Sequence, residues 1–406
     1  MDIKFEKLFE PIKIGSLQVK NRIAMGPMGT RSCTHDGYVT DQLLTHYTAR
    51  AKGGAGLIIV EHTLVTTRHW SSKRITGLWD EEQVTEMGEL AEAIHTFGAK
   101  AIIQLSLGFG QVGHISRAKD GLVAPSAIPV VIREDSFPRR FPKRLKEIEV
   151  RGAGVGPVPR ALTTEEIMEL EDDFVKAARR AKIAGFDGIE VHGGHGYLIA
   201  QFLSPISNAR TDLYGGSPEN RLRLPLNLIR KTRAVLGTDW VIGYRISADE
   251  HFEGGLTLED SKGIVPVLVG AGLDYVHLSS GGPRSSKWTF PDEEGVIIPE
   301  AAAIKSVVSV PVLCPNIYTP QVAEDALSEG KADIVSLARQ LLADPEWANK
   351  AKAGKIDQIR ACTRCNFCSQ RVLEGLAIRC PLNPELGLER FNPEYYPIKR
   401  KRDSER

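Results

Sequence analysis

Four cysteines near the end of the chain have the spacing of a cluster-binding segment. Two residues separate Cys362 from Cys365, two separate Cys365 from Cys368, and eleven separate Cys368 from Cys380, which Pro381 follows. Three thiolates in one tight turn, with a fourth arriving later, suit a cubane [4Fe–4S] cluster. Such a cluster moves one electron at a time, so the segment points to redox chemistry. Structural zinc more often takes two well-separated cysteine pairs, or cysteine and histidine pairs. Inert thiols are the third alternative. Cys33 and Cys314 stand alone and read as small buried hydrophobes.

A second concentration of chemistry is the run His192-Gly193-Gly194-His195-Gly196-Tyr197. An imidazole can donate a hydrogen bond to a carbonyl, and a phenol can deliver a proton. The glycines let a ligand approach the backbone closely. Substrate binding is the reading these residue types favour. Metal ligation by the histidines and a purely structural role stay open, with no acidic third ligand close in sequence.

These residues need a scaffold that brings strand ends together. Eight short apolar runs alternate with amphipathic stretches: 22–25, 57–61, 101–105, 188–192, 241–246, 275–279, 312–316 and 334–339. The helical stretches include 82–97, 164–184, 218–235, 258–269 and 320–328. Eightfold strand–helix alternation predicts an α/β fold, a (β/α)8 TIM barrel. Residues 1–350 form the barrel in this reading. An insertion over 108–162 covers its C-terminal face, with a basic stretch between Arg133 and Arg151. Residues 351–406 form a short iron–sulfur extension and tail. The string Gly108-Phe109-Gly110-Gln111-Val112-Gly113 matches a dinucleotide fingerprint only as letters, because no long helix follows it. No nicotinamide-binding Rossmann unit is expected.

Barrel enzymes place their chemistry at the C-terminal ends of the strands. Here Gln104 offers a donor and an acceptor suited to the edge of a pyrimidine-type ring. Arg245 offers a fixed cation. Asn316, Ala338 and Arg339 fall after strands seven and eight, the recurrent phosphate position of this fold. Together they describe a flavin mononucleotide, FMN, across the barrel mouth.

Composition narrows the remaining classes. The 406 residues are 42% hydrophobic and 25% charged, with a net charge of +1. That balance suits a globular protein and gives no argument for nucleic-acid or membrane partners. No apolar run reaches transmembrane length, and the N-terminus lacks the apolar core of a secretory signal. The clustered cysteines argue against a disulfide framework, so a cytoplasmic setting is expected. A homo-oligomer is expected as well.

The chain resembles the old yellow enzyme superfamily, in the iron–sulfur branch of 2,4-dienoyl-CoA reductase, enoate reductases and trimethylamine dehydrogenase. The resemblance rests on Leu8–Pro11, Asn21–Met28, Tyr47–Gly54, His192–Pro205, Asn208–Arg221, Ala332–Arg339 and the cysteine segment. It implies FMN contacts from Pro27, Met28, Gly29, Gln104, Arg245, Asn316, Ala338 and Arg339. It implies that His192 and His195 hold a substrate carbonyl while Tyr197 donates a proton. The implied activity is reduction of the C=C bond of an α,β-unsaturated carbonyl or enoyl thioester. Amine dehydrogenation and electron relay without substrate chemistry are the alternatives. Three residues depart from the pattern. Gly29 replaces a common Thr or Cys, and Pro315 replaces a common glycine. The 281–288 loop lacks a proton-relay histidine. Because the chain stops at Arg406, electrons are expected from a separate ferredoxin or flavoprotein reductase, unless NAD(P)H binds at the flavin itself.

Overall fold

The computed structural model describes residues 5–68, 74–113, 121–143 and 154–396. Eight parallel strands close into a barrel. They are β1 (Ile23–Met25), β2 (Leu57–Leu64), β3 (Lys100–Ser106), β4 (Gly188–Gly193), β5 (Val241–Ser247), β6 (Tyr275–Ser279), β7 (Val312–Cys314) and β8 (Ile334–Leu337). All eight expected runs are strands, and each end lies within three residues of the expected one. β7 and β8 stop short, so Asn316 and Arg339 fall in the loop and helix beyond them.

The surrounding helices include α1 (Asp41–Lys52), α2 (Val84–Thr96), α3 (Thr164–Ile183), α4 (Arg223–Leu236), α5 (Leu258–Gly270), α6 (Ile298–Lys305), α7 (Pro320–Ser328) and α8 (Arg339–Ala343). Local chemistry starts them where the sequence says. Thr163 and Thr257 form capping boxes with Glu166 and Asp260. Gly237 ends α4 at a φ of 82°, a conformation that penalises a side chain.

Inward-facing side chains change character along the barrel axis. The N-terminal end is filled by Ala24, Leu57, Ile59, Ile102, Val241, Leu313 and Ile334. A hairpin pairing Ile12–Ile14 with Leu17–Val19 closes that end with Ile14, Leu17 and Val19. Two residues farther along several strands the same face turns polar: Gln104 after Ile102, and Arg245 two beyond Gly243. The apolar plug stabilises the fold, and the polar end is left for ligands.

The cysteine segment folds back over the barrel mouth. Arg31 Nε donates to the Val372 carbonyl at 3.1 Å, and the Ile378 amide donates to the Thr30 carbonyl at 2.9 Å. Met28 packs into a small core with Leu342, Val372, Ile378, Leu386, Cys368 and Cys380. The expected 351–406 extension therefore touches the loop after β1 directly. Of the basic stretch, Arg144, Lys146 and Arg151 lie outside the described residues.

Candidate active site

β4 carries His192 near its end, and the turn after it carries His195 and leads into Tyr197, the residue before the short helix Leu198–Leu203. His195 takes a φ of 58°, which turns the chain back toward the barrel. Its amide donates to Ser247 Oγ at 2.9 Å. His195 Nδ1 lies 3.3 Å from His192 Nε2, and His195 Nε2 lies 2.6 Å from Ser279 Oγ. Of these four imidazole nitrogens, only His192 Nδ1 is without a partner. Burial pushes both imidazoles well below their ordinary pKa, and neighbouring cationic groups add to the effect. Both rings are therefore neutral near pH 7. The Tyr197 ring stacks on His192, with centroids 4.9 Å apart and planes 18° apart.

Two further rings complete this wall. His62, from β2, meets the edges of His192 at 5.3 Å and Tyr197 at 5.6 Å. Phe109 stacks on His62 at 4.8 Å and meets Tyr197 edge-on at 4.9 Å. Burial lowers the His62 pKa to about 3. The sequence reading gives His62 no role and sets Phe109 aside with the glycine string around it. Within that string, Gly110–Val112 makes a single 3-10 turn. The turn serves to present an aromatic ring.

The strands on either side of β4 carry two of the expected flavin contacts, Gln104 and Arg245. Arg245 is buried and donates from Nη1 to the Pro27 carbonyl at 3.4 Å, while its Nε is unpartnered. Gln104 is buried and donates from Nε2 to Glu190 Oε1 at 2.7 Å. Met28 is half-buried, and Gly29 is exposed beside Val372. Asn316 has a φ of 63°, donates to the Glu293 carbonyl at 2.9 Å and keeps a buried, unpartnered Oδ1. Ala338 precedes α8. Arg339, expected at a phosphate, donates to Asn366 Oδ1 at 2.6 Å and lies over the Phe290 and Tyr318 rings at 5.7 Å. Its guanidinium thus faces the cysteine segment, a role the sequence did not suggest. Buried polar atoms without partners are costly. Arg245 Nε, Asn316 Oδ1 and His192 Nδ1 fit a site built for a polar ligand such as FMN.

The four cysteines are free thiols. Burial raises Cys362 and Cys368, and each also feels neighbouring thiols of the set: Cys365 and Cys380 for the first, Cys362 and Cys380 for the second. Arg339 pulls both back down. The Arg364 amide donates to Cys362 Sγ at 3.4 Å. Arg364 and Asn366, between the cysteines, adopt φ values of 56° and 57°. Among the described residues, however, no three of His, Cys, Asp and Glu are arranged to hold a metal ion. The thiols sit within electrostatic reach of one another.

Residues 7–358 match the model of the NADH:flavin oxidoreductase / NADH oxidase family. The chain belongs to that family. FMN is the family's flavin. An NADH oxidase of Thermoanaerobacter brockii is 41% identical across 98% of this chain and 59% of its own length. A cinnamate reductase of Clostridium sporogenes is 34% identical across 96% of this chain and 59% of its own. The solved 2-naphthoyl-CoA reductase, in complex with 2-naphthoyl-CoA, superposes with a TM-score of 0.85 at 30% identity, over 96% of this chain and 58% of that one. The chain therefore spans about three-fifths of the length of these relatives. These matches bear out the old yellow enzyme resemblance and the barrel fold. Among the described residues, no helix is long and apolar enough to cross a membrane.

Proposed function

We propose that this chain is an FMN-dependent ene-reductase that saturates the C=C bond of an α,β-unsaturated carbonyl or enoyl thioester. The observation that carries this reading is the Tyr197 phenol stacked on His192, with both imidazoles neutral. Bound FMN supplies the hydride for the β-carbon. The chain's residues do the rest. A neutral imidazole can donate an N–H bond to a carbonyl oxygen without surrendering its proton, and His192 Nδ1 is the free position. His195 Nδ1 lies against His192 Nε2, and by donating there it holds His192 in the tautomer with its proton on Nδ1. Charge gathering on that oxygen is stabilised by the His192 donor. Tyr197 delivers a proton to the α-carbon. His62 and Phe109 flatten one wall for a planar, conjugated substrate. The names cinnamate reductase and 2-naphthoyl-CoA reductase support the choice of substrate class. The site residues proposed for FMN are Pro27, Met28, Gly29, Gln104, Arg245, Asn316, Ala338 and Arg339.

Cys362, Cys365, Cys368 and Cys380 would hold a [4Fe–4S] cluster, whose chemistry is one-electron transfer. Purification under anaerobic conditions should yield about four iron atoms and one FMN per chain. The deciding experiment is to offer enones and enoyl-CoAs to the anaerobically reduced protein, and methylamines to the oxidised protein. Reoxidation of the flavin by the unsaturated carbonyls supports the reading. Reoxidation by none of them, or reduction of the oxidised flavin by methylamines alone, sinks it.

A further inference from the structure

Inside the barrel, level with Gln104 and one layer beneath Arg245, lies a fully buried carboxylate with no assigned role. Glu190 on β4 is 0% exposed. Its Oε1 accepts from Gln104 Nε2 at 2.7 Å. Its Oε2 accepts from the Tyr275 phenol at 3.0 Å and faces His277 Nδ1 at 2.8 Å. Burial opposes its charge, but His277, Arg245 and Gln104 outweigh burial and hold the carboxyl below its ordinary range. The arrangement is built into the strands. Gln104 and Glu190 are register partners on β3 and β4, and Glu190 is level with Gly243 on β5. Tyr275 on β6 pairs with that same Gly243. A Cβ at Gly243 would lie 2.0 Å from the Tyr275 ring. The missing side chain is what lets the phenol cross β5 and reach the carboxylate.

We propose that Glu190 is a positioning residue that fixes which end of the Gln104 amide faces the flavin and counterbalances Arg245. This rests on the FMN reading above. An ionised carboxylate offers only lone pairs. It therefore fixes the NH2 end of Gln104 inward and leaves the carbonyl oxygen toward the mouth. A carbonyl there accepts from an N–H on the ring edge, whereas a flipped amide would set donor against donor. The same negative charge acts on Arg245, whose register partners are His192 and His277. Arg245 then presents a partly neutralised cation to the flavin.

The test is Glu190→Gln, which keeps size and removes charge. Its own NH2 group competes with Gln104 for the inward position. FMN affinity of the apoprotein should fall roughly tenfold, the scale of one hydrogen bond. The bound flavin's midpoint potential should shift positive, because Arg245 is left uncompensated beside the reduced ring. Gln104→Ala should lose affinity as well, and the double variant should lose no more than Gln104→Ala alone. An unchanged potential, or additive losses, overturns the proposal. Should Glu190→Gln not fold, FMN labelled with 15N at N3 decides it in wild type and Gln104→Ala. The N3 resonance should move when the amide is removed, and an unmoved resonance overturns the proposal. Wild-type protein that binds no FMN would instead sink the cofactor reading, so the two failures are distinct.

Discussion

A phenol held face-on against an imidazole has little choice of direction, and at Tyr197 that direction is set by three neighbours. His192 stacks on the ring, while His62 and Phe109 meet it edge-on. Such contacts between rings fix orientation at modest energy. Tyr197→Phe preserves all of them and removes only the proton. Turnover of an activated alkene should therefore slow by roughly 10²–10⁴-fold, the usual contribution of a positioned acid. Anaerobic reduction of the flavin should stay near wild type. Rapid mixing of reduced protein with a cyclic enone separates the two half-reactions. Reoxidation at the wild-type rate would remove Tyr197 from the chemistry. A complementary change, Phe109→Ala, leaves the phenol in place but removes one support of the wall. The expected outcome is weaker substrate binding with the proton step retained, read as a raised KM against a smaller change in kcat.

Helix α1 shows how the elements depend on the cysteine extension. Every residue from Leu43 to Ala51 is buried, including His46 and Arg50. The barrel covers one face, where Tyr47 donates to Glu61 at 3.4 Å. The C-terminal segment covers the other. Arg50 Nη1 reaches Glu389 at 2.6 Å, and the Thr48 hydroxyl donates to the Tyr395 carbonyl at 2.5 Å. Removing one partner of a buried ion pair strands the other charge, at a cost of roughly 3–5 kcal/mol. Glu389→Ala should therefore lower the melting temperature clearly, while the equivalent change at exposed Glu394 should not. The pH dependence has one sign. Burial opposes the Glu389 charge, yet Arg50 and His46 drive its pKa well below the ordinary 4.5. Its stabilisation is present above pH 4.5 and lost as pH falls below that. Burial, helped by Arg50, lowers His46 from 6.5 to about 4, so the unfolded chain takes up its proton first. Stability should decline from about pH 6.5 downward, and a thermal-melting series from pH 7.5 to 4 checks it. Stability that rose on acidification would contradict both assignments. The same packing explains what the sequence hid. The strands were legible as short apolar runs, and the helical stretches 164–184 and 258–269 were legible because one face of each helix meets water. Helix α1 was not, because burial on two faces erases the amphipathic period. The His62 wall was missed for a related reason. A register irregularity between Val60 and Thr63 sets the end of β2, and no spacing rule announces it.

At the scale of the whole molecule, the proposed function gives electrons two candidate entrances, the barrel mouth and the cysteine segment. The family name joins NADH to a flavin, which supports a nicotinamide as direct reductant. A nicotinamide is planar and carries a carboxamide, so the same wall and the same imidazoles that suit an unsaturated carbonyl can hold it. That route needs no Rossmann unit and no thiol. On the cluster proposal the cysteine segment would serve a one-electron route, and its contacts tie it to the loop after β1 through Arg31, Thr30 and Met28. Arg339 adds a link through Asn366. The two routes separate in one experiment. Cys365→Ser alters the most exposed of the four thiols and touches nothing in the wall. Flavin bleaching by NADH or NADPH in stopped flow should keep its wild-type rate in this variant. Bleaching by a reduced ferredoxin should slow by tenfold or more, roughly the loss of one favourable step of 1.4 kcal/mol. If both donors slow together, the segment is a structural brace for the flavin site. If neither donor slows, the thiols carry no electrons to it. If NADH and NADPH fail even in wild type while ferredoxin succeeds, reduction runs through the cysteine segment, and a separate electron-transfer protein is the donor.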